Sequence, residues 1–185
     1  MIINKLEIKS LNLVGAFTIT PQEFIDSRGS FYKFYNEQIL SMIGAKPYFV
    51  EEYSSVSKKG VLRGFHYQSG DYSQAKLIRC VSGSIYDVII DLRKSSATFA
   101  KWVGIELTAQ NKISMYIPRG VAHAFLSLTE GATILYKADN AYYPEYECGV
   151  IWNDPDLDIK WPLENPLLTE KDRHWPKLRE AKLFE

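Results

Sequence analysis

"LIRCVSGSIYDVIIDL" (residues 77–92) decides the fold class. Val, Ile, Leu and Tyr crowd both halves, and Ser82-Gly83 interrupts them. Short apolar runs on either side of a Gly turn read as two strands and a reversal, so the stretch predicts a hairpin. The same signature recurs in "WVGIELTAQNKISMYIP" (102–118) and in "AHAFLSLTEGATILYKAD" (122–139), which predict a second and a third hairpin. Short strands in series, spaced by Gly, Asn and Ser turns, point to an all-β sandwich or barrel. Helical signal is thin. "YNEQILSMIGA" (35–45) puts Ile39, Leu40 and Ile43 on one face, with Asn36 as N-cap and Gly44 as stop. "LTEKD" (168–172) predicts a short helix in which Thr169 and Asp172 resemble a capping box.

Composition narrows the classes. The chain has 185 residues, enough for one domain with a core, and 46% are hydrophobic. Lys plus Arg and Asp plus Glu balance at 22 each, so no global field favours nucleic acid or a membrane surface. No apolar run is long enough to cross a bilayer, and "MIINKLEIKS" lacks a leader's apolar core. A cytoplasmic protein is expected. Cys80 and Cys148 form no CxxC pattern and read as reduced core residues. Aromatics reach 14%, which suits strands and pockets for flat ligands.

Strand parity sorts the polar residues. On 132–139, Ala132, Ile134, Tyr136 and Ala138 share the less charged face, which points inward. In "GVLRGFHYQ" (60–68), ideal alternation puts Arg63 and His66 on opposite faces. They reach one pocket only if Gly64 bends or bulges the strand. His66 is the strongest base candidate, since imidazole titrates near neutral pH. A metal is not expected: His66-Tyr67-Gln68 has Gln where a paired ligand would stand, and the only other His residues are His123 and His174. Each candidate alone has an ordinary structural explanation; their joint pattern shifts the weight.

Taken together, "VLRGFHYQ", "QAKLIRCVSGSIYDVIIDLRKSSATF", "YIPRGVAHAFLSL", "LYKADNAYYPEYECGVIWNDPDLDIKWP" and "LTEKD" resemble the dTDP-4-dehydrorhamnose 3,5-epimerase family over about residues 10–175. The resemblance implies a cupin-type jelly-roll β-barrel with short peripheral helices. It implies one domain over 1–185, with the barrel core at about 45–140 and the segment 141–185 packing on it. It implies a homodimer with strand exchange at the N-terminal side, and no cofactor or metal. The substrate would be a nucleotide-diphosphate sugar, a 4-keto-6-deoxyhexose whose ketone acidifies C3 and C5. Carried over by motif, His66 would be the base, Asp172 its orienting partner, Tyr136 the proton donor and Lys76 the group that stabilises charge on O4. His123 would line the pocket, Arg63 and Arg28 would hold the diphosphate, and Gln68 would be a substrate-binding residue that also marks a metal-free barrel.

Three positions depart from the family pattern. "DSRGSFYK" puts Lys33 where an acid usually stands, and "FVEEY" puts Glu51 and Tyr53 for Gln and Asn. In the family these positions lie near the nucleotide end of the substrate, which is where the resemblance would put Lys33, Glu51 and Tyr53. Thymine N3 donates a hydrogen and suits Glu; cytosine N3 accepts one and suits Lys. A CDP-linked substrate is therefore a reading beside the usual dTDP one. Epimerisation at one carbon alone is another, and a non-catalytic sugar-nucleotide-binding cupin ranks below both.

Overall fold

The computed structural model describes residues 6–45 and 48–185. In chain order the strands are β1 (Glu7–Ser10), β2 (Phe17–Thr20), β3 (Glu23–Asp26), β4 (Gly29–Tyr32), β5 (Glu51–Ser57), β6 (Leu62–Gln68) and β7 (Lys76–Ser82). They continue with β8 (Ser84–Asp91), β9 (Trp102–Thr108), β10 (Ser114–Ile117), β11 (Val121–Ser127), β12 (Ala132–Ala138) and β13 (Glu147–Gly149). Two α-helices, α1 (Glu37–Met42) and α2 (Glu170–Arg173), are short and peripheral. One antiparallel sheet runs β1-β2-β10-β7-β12-β5, and a second runs β13-β6-β11-β8-β9. The sheets pack face to face as a jelly roll, while β3 and β4 form a separate ribbon.

Every strand of the three expected hairpins is present, but none of the hairpins is. β7 lies in the first sheet and β8 in the second; β9 and β10, and β11 and β12, are split the same way. Each reversal is a corner that carries the chain from one sheet to the other. Gly83 turns such a corner at φ +73°, where a Cβ would meet Thr129 Oγ1 at 2.2 Å. β8 instead pairs with β9, in the register Ile89 to Val103, across the loop of residues 92–101. The physical reason is two-sided burial. Ile85 and Ile89 face the first sheet, while Val88 and Ile90 face outward onto a second apolar layer. A local hairpin could cover only one of those faces.

The core between the sheets joins Ile78, Met115 and Ile134 to Ile85, Ile89, Leu107 and Phe125. Outside the second sheet, Phe65, Tyr67 and Ala124 are covered by Val150, Leu157, Trp161 and Phe184 of the C-terminal segment. Outside the first sheet, Leu40 of α1 packs with Ile19, Leu77 and Tyr116. Gly44 ends α1 at φ +70°; its N–H bonds the Ser41 carbonyl and the Ala45 N–H bonds that of Leu40, so the last carbonyls are satisfied. The side chain of Ile39, expected on the same face, and residues 1–5, read for a leader, lie outside the described residues. Strand β12 alternates as expected, with Ala132, Ile134, Tyr136 and Ala138 buried. Both cysteines are free; Cys80 is buried and Cys148 half-buried.

Candidate active site

The site begins with a bulge. β6 and β11 pair His66 with His123 and Arg63 with Phe125, so three steps on β6 match two on β11. The extra residue brings Arg63 and His66 to one face, as two residues against one does in a bulge. Gly64 permits it. Its φ is +118°, and a Cβ there would lie 2.5 Å from the His123 carbonyl oxygen. No residue with a side chain fits that approach.

His66 lines a cavity of about 750 Å³ with Glu51, Tyr53, Gln68, Lys76, Tyr142 and Glu147. Behind it, His66 Nε2 meets Asp172 Oδ1 at 2.5 Å. Asp172 is delivered by the N-terminal turn of α2. Thr169 caps that helix and takes the Asp172 N–H, while its own hydroxyl donates to Asp172 Oδ2 at 2.8 Å. Burial pushes the Asp172 carboxyl up, but bonds from His66, Thr169 and Trp175 outweigh it and hold the group below the ordinary value. An ionised Asp172 fixes a proton on Nε2, which leaves the Nδ1 lone pair as the basic site.

Lys76 opens β7 on the facing sheet. Desolvation lowers its ammonium to about 8, against the upward pull of Glu147 and Glu51. Its ammonium has no hydrogen-bond or ion-pair partner among the described residues. A cation so placed is free for a developing anion.

Tyr136 lies on β12, also on the sheet opposite His66; it is buried and does not itself line the 750 Å³ cavity, although Tyr53 beside it does. Its hydroxyl meets Ser55 Oγ at 3.2 Å, and its ring stacks on Tyr53 with centroids 4.7 Å apart. Burial raises its phenol well above the usual range, so the group stays a proton donor at neutral pH. His123 presents a ring edge to Tyr136 and meets buried Asp87 Oδ2 at 2.7 Å.

The remaining expected residues are placed differently. Gln68 lines the cavity, but its amide is taken up by the protein: its Nε2 donates to the Tyr72 and Ala141 carbonyls, and its Oε1 accepts the Tyr143 N–H. Arg63 is held by Ser57 Oγ and does not line the cavity. Arg28 sits at the tip of the β3–β4 ribbon, paired with Asp26 at 2.6 Å. Lys33 borders a separate cavity of about 410 Å³ on the outer face of the first sheet, with Phe34, Arg79 and Lys137. Among the described residues, no group of three or more His, Cys, Asp or Glu is arranged to hold a metal ion.

A family model described as dTDP-4-dehydrorhamnose 3,5-epimerase matches residues 10–180. The chain belongs to the dTDP-4-dehydrorhamnose 3,5-epimerase family. It is thus an epimerase, an isomerase by class. It is 46% identical to the dTDP-4-dehydrorhamnose 3,5-epimerase of Shigella flexneri, over 89% of this chain and 91% of that one. The crystal structure of the Elizabethkingia anophelis dTDP-4-dehydrorhamnose 3,5-epimerase superposes with a TM-score of 0.93 at 42% identity, covering 96% of this chain and 98% of that chain. A Legionella pneumophila epimerase, solved in complex with dTDP-4-keto-L-rhamnose, gives a TM-score of 0.90 at 37% identity, covering 95% and 94%.

Sequence reading of this epimerase passes over three groups at the site. Asp87 interrupts the apolar run "SIYDVIID", and an acid at an inward position was the signal available for it. Glu147 lines the cavity and binds Lys171 at 2.8 Å and the Tyr142 hydroxyl. Trp175 sets its ring edge toward His66 and its N–H toward Asp172. Neither Glu147 nor Trp175 stands in a local pattern that marks it.

Proposed function

We propose that the protein epimerises C3 and C5 of dTDP-4-dehydro-6-deoxyglucose, giving dTDP-4-dehydro-L-rhamnose, in the cytoplasm and without a cofactor. The observation that carries this reading is that His66 and the desolvated Lys76 line one cavity from facing sheets, with the buried Tyr136 phenol stacked behind its lining residue Tyr53. His66 Nδ1 removes the proton next to the C4 ketone, and the electron pair moves to O4 as an enolate. The Lys76 ammonium stabilises that charge, as a preorganised cation does at an oxyanion. The Tyr136 phenol returns a proton from the opposite side, which inverts the carbon. Water then restores both groups.

Glu51 supports dTDP over CDP. One of its carboxylate oxygens takes the Tyr142 N–H at 3.0 Å, and the other remains an acceptor for a base N–H. Lys33, the group suited to cytosine, borders the other cavity. We also propose a homodimer. Phe24, Ile25 and Phe31 on the β3–β4 ribbon are exposed at 43%, 77% and 66%, a surface that a second copy would cover. Strand exchange there would offer Arg28 to a neighbouring cavity. The test is turnover of the dTDP-linked and CDP-linked 4-keto sugars by purified protein, read by product chromatography. Conversion of the dTDP sugar alone is expected; conversion of neither would overturn the proposal.

A further inference from the structure

Tyr53 stands beside the acid, although its place in the sequence pattern assigned it to the nucleotide. In the antiparallel ladder of β5 and β12, Tyr53 and Tyr136 are direct partners. Their rings stack at 4.7 Å with an interplanar angle of 11°. Cross-strand aromatic pairs of this kind fix each other's rotamers. Tyr53 also lines the 750 Å³ cavity, so it braces the Tyr136 ring from the cavity side. Tyr136 is then held on three sides: by the Tyr53 ring, by Ser55 Oγ and by the edge of His123.

That clamp has a chemical consequence. C3 and C5 lie on either side of C4. One phenol cannot be ideally placed for both unless it moves or the sugar ring turns. A misplacement of about 1 Å costs on the order of 10²-fold in rate. We propose that Tyr53 is a positioning residue for the Tyr136 phenol and thereby sets the ratio of proton return at C3 to that at C5. The role rests on the epimerase reading of the cavity. It concerns this chain's Tyr at a position where Asn would leave the Tyr136 ring face open.

The experiment follows deuterium incorporation at C3 and at C5 by NMR, with dTDP-4-dehydro-6-deoxyglucose in heavy water. It uses the full chain and the variants Y53L, Y53N and Y53F. Tyr53 is 39% exposed, so each variant is expected to fold, and thermal midpoints check this. Y53L and Y53N should shift the C3-to-C5 ratio about tenfold, with kcat falling more than KM changes. Y53F keeps the stacked ring and should keep the wild-type ratio. An unchanged ratio in Y53L and Y53N, with both rates falling together, is the behaviour of a merely structural residue and would overturn the assignment. A shift in Y53F as large as in Y53L would overturn it too, by moving the effect to the hydroxyl. Wild-type exchange at neither carbon would defeat the epimerase reading itself, and this role with it.

Discussion

The molecule holds two His–Asp pairs on adjacent strands, and their surroundings differ. His66–Asp172 stands at a cavity wall, with the His66 side chain 29% exposed. His123–Asp87 is sealed, with side chains 8% and 0% exposed. Asp172 satisfies both carboxylate oxygens and is held below the ordinary carboxylate value. Asp87 leaves Oδ1 without a partner among the described residues, and burial raises its pKa despite His123. The same two residue types thus stand at a cavity wall in one place and inside the core in the other. Access and carboxylate satisfaction, not the pair itself, single out His66–Asp172 as the candidate dyad.

The largest effect that sharpens this contrast is at Asp172. Asp172→Asn keeps the shape but loses the charge that orients His66, and kcat/KM should fall by about 10³-fold. A loss below tenfold would make the two pairs equivalent.

Next comes Lys76. Its ammonium is lowered to about 8, so its charged fraction declines as pH rises through that value. If the charge stabilises O4, kcat/KM should fall about tenfold per pH unit above it, and Lys76→Arg should remove that limb. A limb unchanged in Lys76→Arg would assign it to another group.

The smallest effect is expected at Asp87. Because its folded pKa is raised, the folded chain holds this proton more tightly than the unfolded chain does. Stability linked to the group is therefore greatest below the unfolded value and is lost as pH rises through the folded one. Asp87→Asn has no such loss, so its thermal midpoint should gain on wild type between pH 4 and pH 7. Activity should stay within about tenfold. A gap that narrows with rising pH would contradict the buried-carboxyl account.

Strands were legible because alternation and β-branched residues mark them wherever one face meets a core. Their pairing was not legible. Ser82-Gly83 specifies a reversal but says nothing about whether β8 returns beside β7 or crosses to the other sheet. Thr169 and Asp172 were readable as a cap since the signal spans three residues, and the cap is what carries Asp172 to His66. Gly64 was readable as a needed distortion, because parity alone separates Arg63 from His66. The Tyr53–Tyr136 stack was not readable, since it depends on the β5–β12 register, which joins residues far apart in the chain.

The most direct test of the central claim sets the two histidines against each other. Solvent deuterium exchange into dTDP-4-dehydro-6-deoxyglucose would be measured for His66→Asn and His123→Asn beside wild type. The account predicts that exchange at C3 and C5 disappears in His66→Asn and persists, at a reduced rate, in His123→Asn. Exchange that survives in His66→Asn and is lost in His123→Asn would contradict it.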